Sequence, residues 1–521
     1  MRVIDIVRGM LSGYGFKLVQ ILAVLFVVPF LLQDEIIGLD DYGRIFAILG
    51  LLSPLTLLTD GLKTSFSRNI SRSLSDERWS TGQELGNAFA LIASLSAILA
   101  SIFFAFRIDL LGMIQVPIVR DYTLGFALAV AFVSIDSVFF ILMTYLNAKG
   151  RADVVNSVMG IEVVGRNLAF VAWFATHGGS VSSYFMIFVF SASLRSLGLL
   201  AYALRRWPAD FIGFWSVNLL AMGEAVRYSL SLSAESINFY VFQRFTIPLT
   251  AAFIGPAEAG MLALGVNTIS NNLSQVLLNV IRPLLIPIAA RIRFDKLSDV
   301  RRRLLLDLDA IYVLVAGLVT VPIIAGMPTL VGVWLGQEYV ELIFPAQILV
   351  AGTTLNVAFN MRRALMVGHG LAGVIARTSL LCGGIGVFGL VGVFGIWPSW
   401  LGVSAVIALV GAISSVVGVG IGFDRSDLVP GARLERRGLR GSAALVVGIL
   451  VAFGASIFAP LNFTPICLAP PAAAALTLIA AVHILTIRLP QIFKALSILK
   501  AGANRQIFEY ASDVDPSRSN D

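Results

Sequence analysis

Two stripes of polar residues recur at helical spacing inside otherwise apolar stretches of this chain. One runs Ser53, Thr56, Asp60, Lys63 and Ser67, and the other Thr268, Asn272, Gln275, Asn279 and Arg282. A shift of 219 residues lays Ser53 on Asn272, Thr56 on Gln275, Asp60 on Asn279 and Lys63 on Arg282. A second pair, Gly13, Lys17 and Gln20 against Ser231, Glu235 and Asn238, matches at a shift of 218. Each of these triplets sits at i, i+4 and i+7, on one face of a helix. Hydrogen-bonding groups next to cations are the equipment of binding. No GxxxxGK[ST], HExxH or GxSxG pattern accompanies them, so nothing in the chain points to bond-making chemistry. Charges in hydrocarbon cost from about 2.5 to beyond 10 kcal/mol each, so such groups face a protein interior or a water-filled cavity.

Each group also has a plainer role open to it. Ser, Asn and Gln hold membrane helices together by hydrogen bonding. Lys17 and Glu235 suit an ion pair between two halves of the molecule as well as they suit a ligand. Lys63 and Arg282 lie near helix ends, where long cations reach out to the interface. Glu162 and Arg166, four apart, can pair with each other. Asp136 stands in the middle of its stretch as either a cation-coupling carboxylate or half of a buried ion pair. Arg195 and Arg244 are candidate cavity cations outside the matched sets. His369 reads as a loop residue. Cys382 and Cys467 lie in apolar stretches without a CxxC pattern and read as structural thiols. No metal site and no cofactor are expected.

The elements that must carry these residues follow from composition. The chain has 521 residues, of which 57% are hydrophobic and 13% charged, with mean hydropathy +0.87. A soluble domain carries about 25% charged residues. A spanning helix needs about 20 mostly apolar residues. Fourteen stretches qualify: 11–33, 42–62, 84–107, 122–146, 153–177, 181–203, 228–250, 259–289, 304–326, 341–361, 371–395, 399–422, 441–459 and 464–487. Their runs do not alternate, which excludes a β-barrel. The first is long enough to span and lacks the cleavage pattern of a signal peptide. Lys and Arg crowd alternate connections, for instance Arg301, Arg302 and Arg303, while the first intervening one holds Asp34, Glu35, Asp40 and Asp41. By the positive-inside rule the basic set is cytoplasmic, with both termini. The net charge of +7 is therefore a topology signal, and no nucleic-acid partner is expected.

The first six spans resemble the next six. Gly43 pairs with Gly260 at a separation of 217, and Gly112 with Gly332 and Gly150 with Gly370 at 220. Three matches in order at near-constant offset mark a duplication. Six is even, so both copies enter the membrane in the same sense and form a parallel repeat around a cavity. The expected architecture is an all-α polytopic membrane protein of about fourteen transmembrane helices. It comprises a first lobe at 1–203, a cytoplasmic linker at 204–227, a second lobe at 228–423, a linker at 424–440, an appended helix pair at 441–488 and a cytoplasmic tail at 489–521.

The segments "DDYGRIFAILGLLSPLTLLTDGLKTSFSR", "YLNAKGR", "AAFIGPAEAGMLAL", "VGVWLGQEY" and "ALMVGHGLAG" resemble the MOP superfamily of flippases and exporters. The likeness is strongest to its polysaccharide-transport branch, the Wzx-type flippases of lipid-linked oligosaccharides. Gly61, Leu62 and Arg68 match that branch's Gly-Leu followed by Arg. Its acidic residue two before the glycine is Thr59 here, with Asp60 next, and its early second-lobe aspartate has no counterpart in Gln243–Ile247. The resemblance implies two six-helix lobes, alternating access without ATP hydrolysis, and a bacterial inner-membrane location. It also implies a lipid-linked glycan as substrate, with membrane lipids, a coupling cation (H+ or Na+) and polysaccharide assembly proteins as candidate partners. In that setting Asn272, Gln275 and Asn279 would bind sugar and Lys17, Lys63 and Arg282 the diphosphate, with Gln20, Asp60, Glu235 and Asn238 as further substrate-binding residues of the cavity. A cation-coupled drug exporter of the same superfamily is the alternative, favoured by Asp60, Asp136 and Glu235. A polysaccharide-processing membrane enzyme is less compatible, because no outer connection is long enough for a catalytic domain.

Overall fold

The computed structural model describes residues 3–73, 80–220, 240–272, 299–359, 372–416, 434–459 and 469–485, with scattered positions between them. Among the described residues every regular element is a helix. In the first half these are α1 (Val3–Leu31), α2 (Gly38–Leu51), α3 (Ser53–Ser73), α4 (Thr81–Ala105), α5 (Arg107–Met113), α6 (Arg120–Ala148), α7 (Ala152–His177) and α8 (Val181–Arg206). The second half holds α9 (Thr246–Phe253), α10 (Pro256–Ala263), α11 (Asp299–Ala325), α12 (Met327–Trp334), α13 (Ile343–Ala358), α14 (Ala372–Ile396) and α15 (Trp400–Ile413). Last come α16 (Leu434–Ser456) and α17 (Ala469–Leu485). The chain is a multi-pass membrane protein. Seven described helices are long and apolar enough to cross a bilayer, and the pair formed by Tyr312–Ala325 and Met327–Trp334, bent by 63°, meets the same length and composition only when taken together. Three shorter apolar helices, Trp400–Val416, Ala443–Ser456 and Ala469–Ala481, add to these.

Local chemistry explains where the helices break. The stretch expected as one span over 42–62 is two helices, because Pro54 lacks the N–H that would continue the ladder; Leu52 closes α2 and α3 restarts at Ser53. Ser80 caps α4 by accepting from Gln83 N at 3.3 Å. Asp121, at the start of α6, caps α8 from outside: its carboxylate accepts from Val181 N (3.0 Å), Ser182 N (3.2 Å) and the Ser182 hydroxyl. The short helices α5 and α12 replace what reads in the sequence as plain connections. They begin at Arg107 and Met327, 220 residues apart, so the duplication includes these short helices at the repeat offset.

We call the end of the bundle that holds the α1–α2 connection distal, and the end that holds the start of α1 proximal. The first lobe packs α1 on α7, α6 on α8, and α3 and α4 on α6. The second packs α13 on α15, α14 on α15 and α11 on α13. The last two helices lie against α11 rather than between the lobes: a side-chain carbon at Gly317 would come within 2.5 Å of Leu478 and 3.0 Å of Leu445. One apolar core runs continuously through both lobes, joining Ile45, Ile48 and Leu52 to Ile247, Ala251 and Leu262. A separate core fills the proximal part of the first lobe with Leu62, Phe66, Ile70, Phe139, Tyr145 and Leu199.

Candidate functional site

Lipid tails are as apolar as leucine, so two lobes in a membrane gain little from burying apolar surface against each other. Close packing and hydrogen bonds must hold them. The distal seam between the lobes has both. A side chain at Gly43 would collide with the Pro256 carbonyl, and one at Gly260 would meet the Leu39 carbonyl at 2.6 Å. Leu39 and Pro256 are themselves 217 apart, as Gly43 and Gly260 are, so the two contacts are one contact repeated by the internal symmetry. Gly50 admits the Arg244 carbonyl and the Pro248 ring. Around these backbones Tyr42 Oη and Thr268 Oγ1 share a hydrogen bond of 3.2 Å. Gln115 Nε2 donates to Ala252 O at 2.8 Å, and Trp334 Nε1 donates to Leu25 O at 2.8 Å. That last acceptor is the carbonyl whose helical partner would be residue 29. Residue 29 is a proline inside α1, and a proline has no N–H to offer.

The polar stripes approach this seam. Thr268, which begins the second-lobe stripe, touches Tyr42 of the first lobe, and Asn272 one turn further on donates to the Thr268 carbonyl at 2.8 Å. In α3, Ser53 and Thr59 are buried, and Thr56 and Thr59 turn their hydroxyls back onto Ser53 O and Leu55 O. In α1, Lys17 Nζ donates to Gln20 Oε1 at 2.9 Å and lies over the Phe16 ring, while Ser12 accepts from Asn156 of α7. Glu235, Asn238, Gln275, Asn279 and Arg282 lie outside the described residues. Asp60 and Lys63 belong to α3, and their side chains are likewise outside them.

The first lobe also holds a buried charge network at mid-helix. Arg195 of α8 donates through Nη2 to Asp136 Oδ1 of α6 at 2.6 Å and through Nη1 to Glu162 Oε2 of α7 at 3.5 Å. Arg166 Nη1 donates to Glu162 Oε1 at 2.5 Å, and Ser191 Oγ donates to the same oxygen at 3.2 Å. The guanidinium of Arg195 sits 3.7 Å from the centre of the Phe139 ring, and that of Arg166 4.4 Å from Phe188. Two carboxylates and two guanidiniums balance, which is what a low-dielectric interior demands. Side-chain exposure is 8% for Arg195 and 6% for Glu162, but 30% for Asp136; Asp136 is the member of the network that remains open. The Arg195 pairing joins three helices and has no sequence spacing to announce it. The available signal was three charges near the middles of successive spans.

Sequence reasoning missed a second set in the other lobe. Ser415 Oγ donates to Asn356 Oδ1 at 3.0 Å, Asn271 Nδ2 donates to Asn267 Oδ1 at 3.4 Å, and Ser270 meets Thr353. Leu264–Ser270 is wound as a π-helical turn. Asn267 and Asn271 are four apart, but Ser415 with Asn356 and Ser270 with Thr353 join different helices, so helical spacing does not group them.

The chain is a polytopic membrane protein whose helical fold is similar to the folds of solved membrane transporters. It is similar to an inward-facing multidrug resistance MATE transporter of the MOP superfamily, with TM-score 0.58 at 14% identity over 77% of this chain and 97% of that one. It is similar to the lipid II flippase MurJ in an inward closed conformation, with TM-score 0.55 at 10% identity over 91% and 98%. A MATE transporter in complex with MaL6 aligns with TM-score 0.55 at 13% identity over 80% and 95%. No family model matches the sequence, and neither does any curated protein.

Proposed function

We infer that this chain moves a polyprenyl-diphosphate-linked oligosaccharide from the cytoplasmic to the outer leaflet of a bacterial inner membrane by alternating access. The observation that carries this is the seam. Repeat-related glycines bring the lobes together at the distal end, and Thr268, the first residue of a polar stripe, touches the opposite lobe there. The stripe continues by sequence through Asn272, Gln275 and Asn279 to Arg282, with Lys63 as its partner in α3. Amides suit sugar hydroxyls, and paired cations suit a diphosphate that bare hydrocarbon excludes. The orientation rests on the basic connections, which place both termini and the two cations toward the cytoplasm. The lobes are assigned to 1–203 and 228–423, with the helix pair at 441–488 outside the transport path. Lys17, Gln20, Glu235 and Asn238 line the same path. The likeness to a lipid II flippase over 91% of the chain supports a lipid-borne substrate.

A leaflet assay in proteoliposomes tests this. Lys63→Ala together with Arg282→Ala is expected to lower lipid-linked glycan transport at least about tenfold, the loss of roughly one charge-assisted contact. Normal transport at wild-type abundance would remove the cation-clamp reading. A cation-coupled multidrug exporter is the second reading. Asp136, the half-open acid of the first-lobe network, and two multidrug or MATE neighbours favour it. That reading predicts pH- or Na+-driven efflux of organic cations, lost in Asp136→Asn.

A further inference from the structure

The segment after α8 is fastened to the first lobe by its inner face. Tyr145 Oη donates to Asp210 Oδ2 at 2.6 Å, and Lys149 Nζ pairs with the same oxygen at 2.6 Å. Lys149 also lies 5.6 Å from the centre of the Trp207 ring. The carbonyls of Ile212 and Phe214 rest on Gly82 and Gly86 of α4, where any side chain would strike them. Phe211 turns onto Tyr145 and Phe214 onto Phe89, with ring centres 5.7 and 5.6 Å apart. Asn218 N donates to Asn87 Oδ1 at 2.7 Å. Backbone and inward rings are thus committed to protein contacts, and the outer face is held in place.

That outer face is apolar. Ile212 is 73% exposed, Trp215 87%, Leu219 78% and Leu220 84%. It begins where the apolar span α8 ends, at the level of the end of α6 and the start of α4, where three membrane-spanning stretches terminate together. Arg205 and Arg206, both exposed, form the last turn of α8 beside it. Tryptophan with aliphatic residues, flanked by arginines and held at the rim of a bundle, is the composition of a face that lies in a charged membrane interface. We propose that residues 205–220 form an interfacial anchor for anionic phospholipid: Ile212, Trp215, Leu219 and Leu220 enter the acyl boundary, and Arg205 and Arg206 bind headgroup phosphates. The strap leaving the first lobe is then referenced to the membrane surface as well as to α4.

The test uses the full chain in nanodiscs, with Cys382→Ala and Cys467→Ala and a nitroxide placed at Trp215→Cys. Power saturation reports collision with oxygen, which concentrates in lipid, against a water-soluble nickel complex. The expected result is an oxygen-dominated environment that deepens as phosphatidylglycerol replaces phosphatidylcholine. Arg205→Gln and Arg206→Gln should each move the midpoint to about fivefold higher phosphatidylglycerol, one interfacial cation's worth of attraction. A nickel-accessible label, or a midpoint unmoved by either arginine substitution, overturns the proposal. Dipolar broadening that disappears on dilution with unlabelled protein would assign the face to a second copy and overturn it as well. If the Trp215 variant does not assemble, the same readings from a label at Leu219→Cys decide the question.

Discussion

Arg195 is held by two carboxylates and an aromatic ring in the middle of the first lobe, so its removal strands the charge on Asp136, while Glu162 keeps Arg166 and Ser191. Breaking a buried pair by deleting one member typically costs about 3–5 kcal/mol. Arg195→Ala should therefore lower the melting temperature in detergent markedly, while the neutral pair Arg195→Gln with Asp136→Asn should cost less than the two single changes together. Strict additivity in that cycle would mean that the 2.6 Å contact carries no coupling. Glu162 and Arg166 could be paired from their spacing alone. Asp136 could not, because its partner comes from α8, 59 residues away.

Among the elements, α1 and α12 are tied by a bond that depends on a defect. Pro29 removes the N–H that would close the ladder onto Leu25 O, and Trp334 Nε1 fills the vacancy. Trp334→Phe leaves a carbonyl without its donor, at a cost of about 1–3 kcal/mol. Pro29→Ala returns a backbone donor to the same carbonyl. The tryptophan substitution should thus be better tolerated in the Pro29→Ala background, which thermal unfolding of the four variants measures. Equal losses in both backgrounds would show that the indole contributes packing only. The bond also crosses between lobes, so a state in which the lobes part distally must break it. The proline was visible in the sequence, and the helix that supplies the indole read there as a loop.

At the scale of the whole molecule, the glycine seam holds the distal ends of the two lobes against each other. Gly43→Val places a side chain against the Pro256 carbonyl of the other lobe, and backbone cannot yield as a flexible side chain does. The distal contacts should separate. In a cysteine-free background, Tyr42→Cys with Thr268→Cys should be bridged by a short bifunctional thiol reagent, since the tyrosine side chain spans the gap between the two backbones, and adding Gly43→Val should abolish the cross-link while the protein still inserts. Retained cross-linking would mean that the lobes pivot about some other contact. The appended helices α16 and α17, packed on α11 away from this seam, should be indifferent to the same change.

The sequence by itself determined the solvent, the helices and the duplication. These depend on local quantities: runs of apolar residues long enough to span, periods of 3.6, and glycines repeated at offsets of 217–220. It marked Gly43 and Gly260 only as repeat landmarks. Their meeting across the two lobes was decided by the tertiary structure, because it depends on which helix faces of one lobe turn toward the other. The same holds for Arg195 with Asp136, for Trp334 on Leu25 and for the strap on Gly82 and Gly86. In a bilayer, apolar burial does not choose among helix arrangements, so these few close approaches and buried hydrogen bonds do. They join residues from 59 to 309 positions apart, distances over which helical periodicity carries no information.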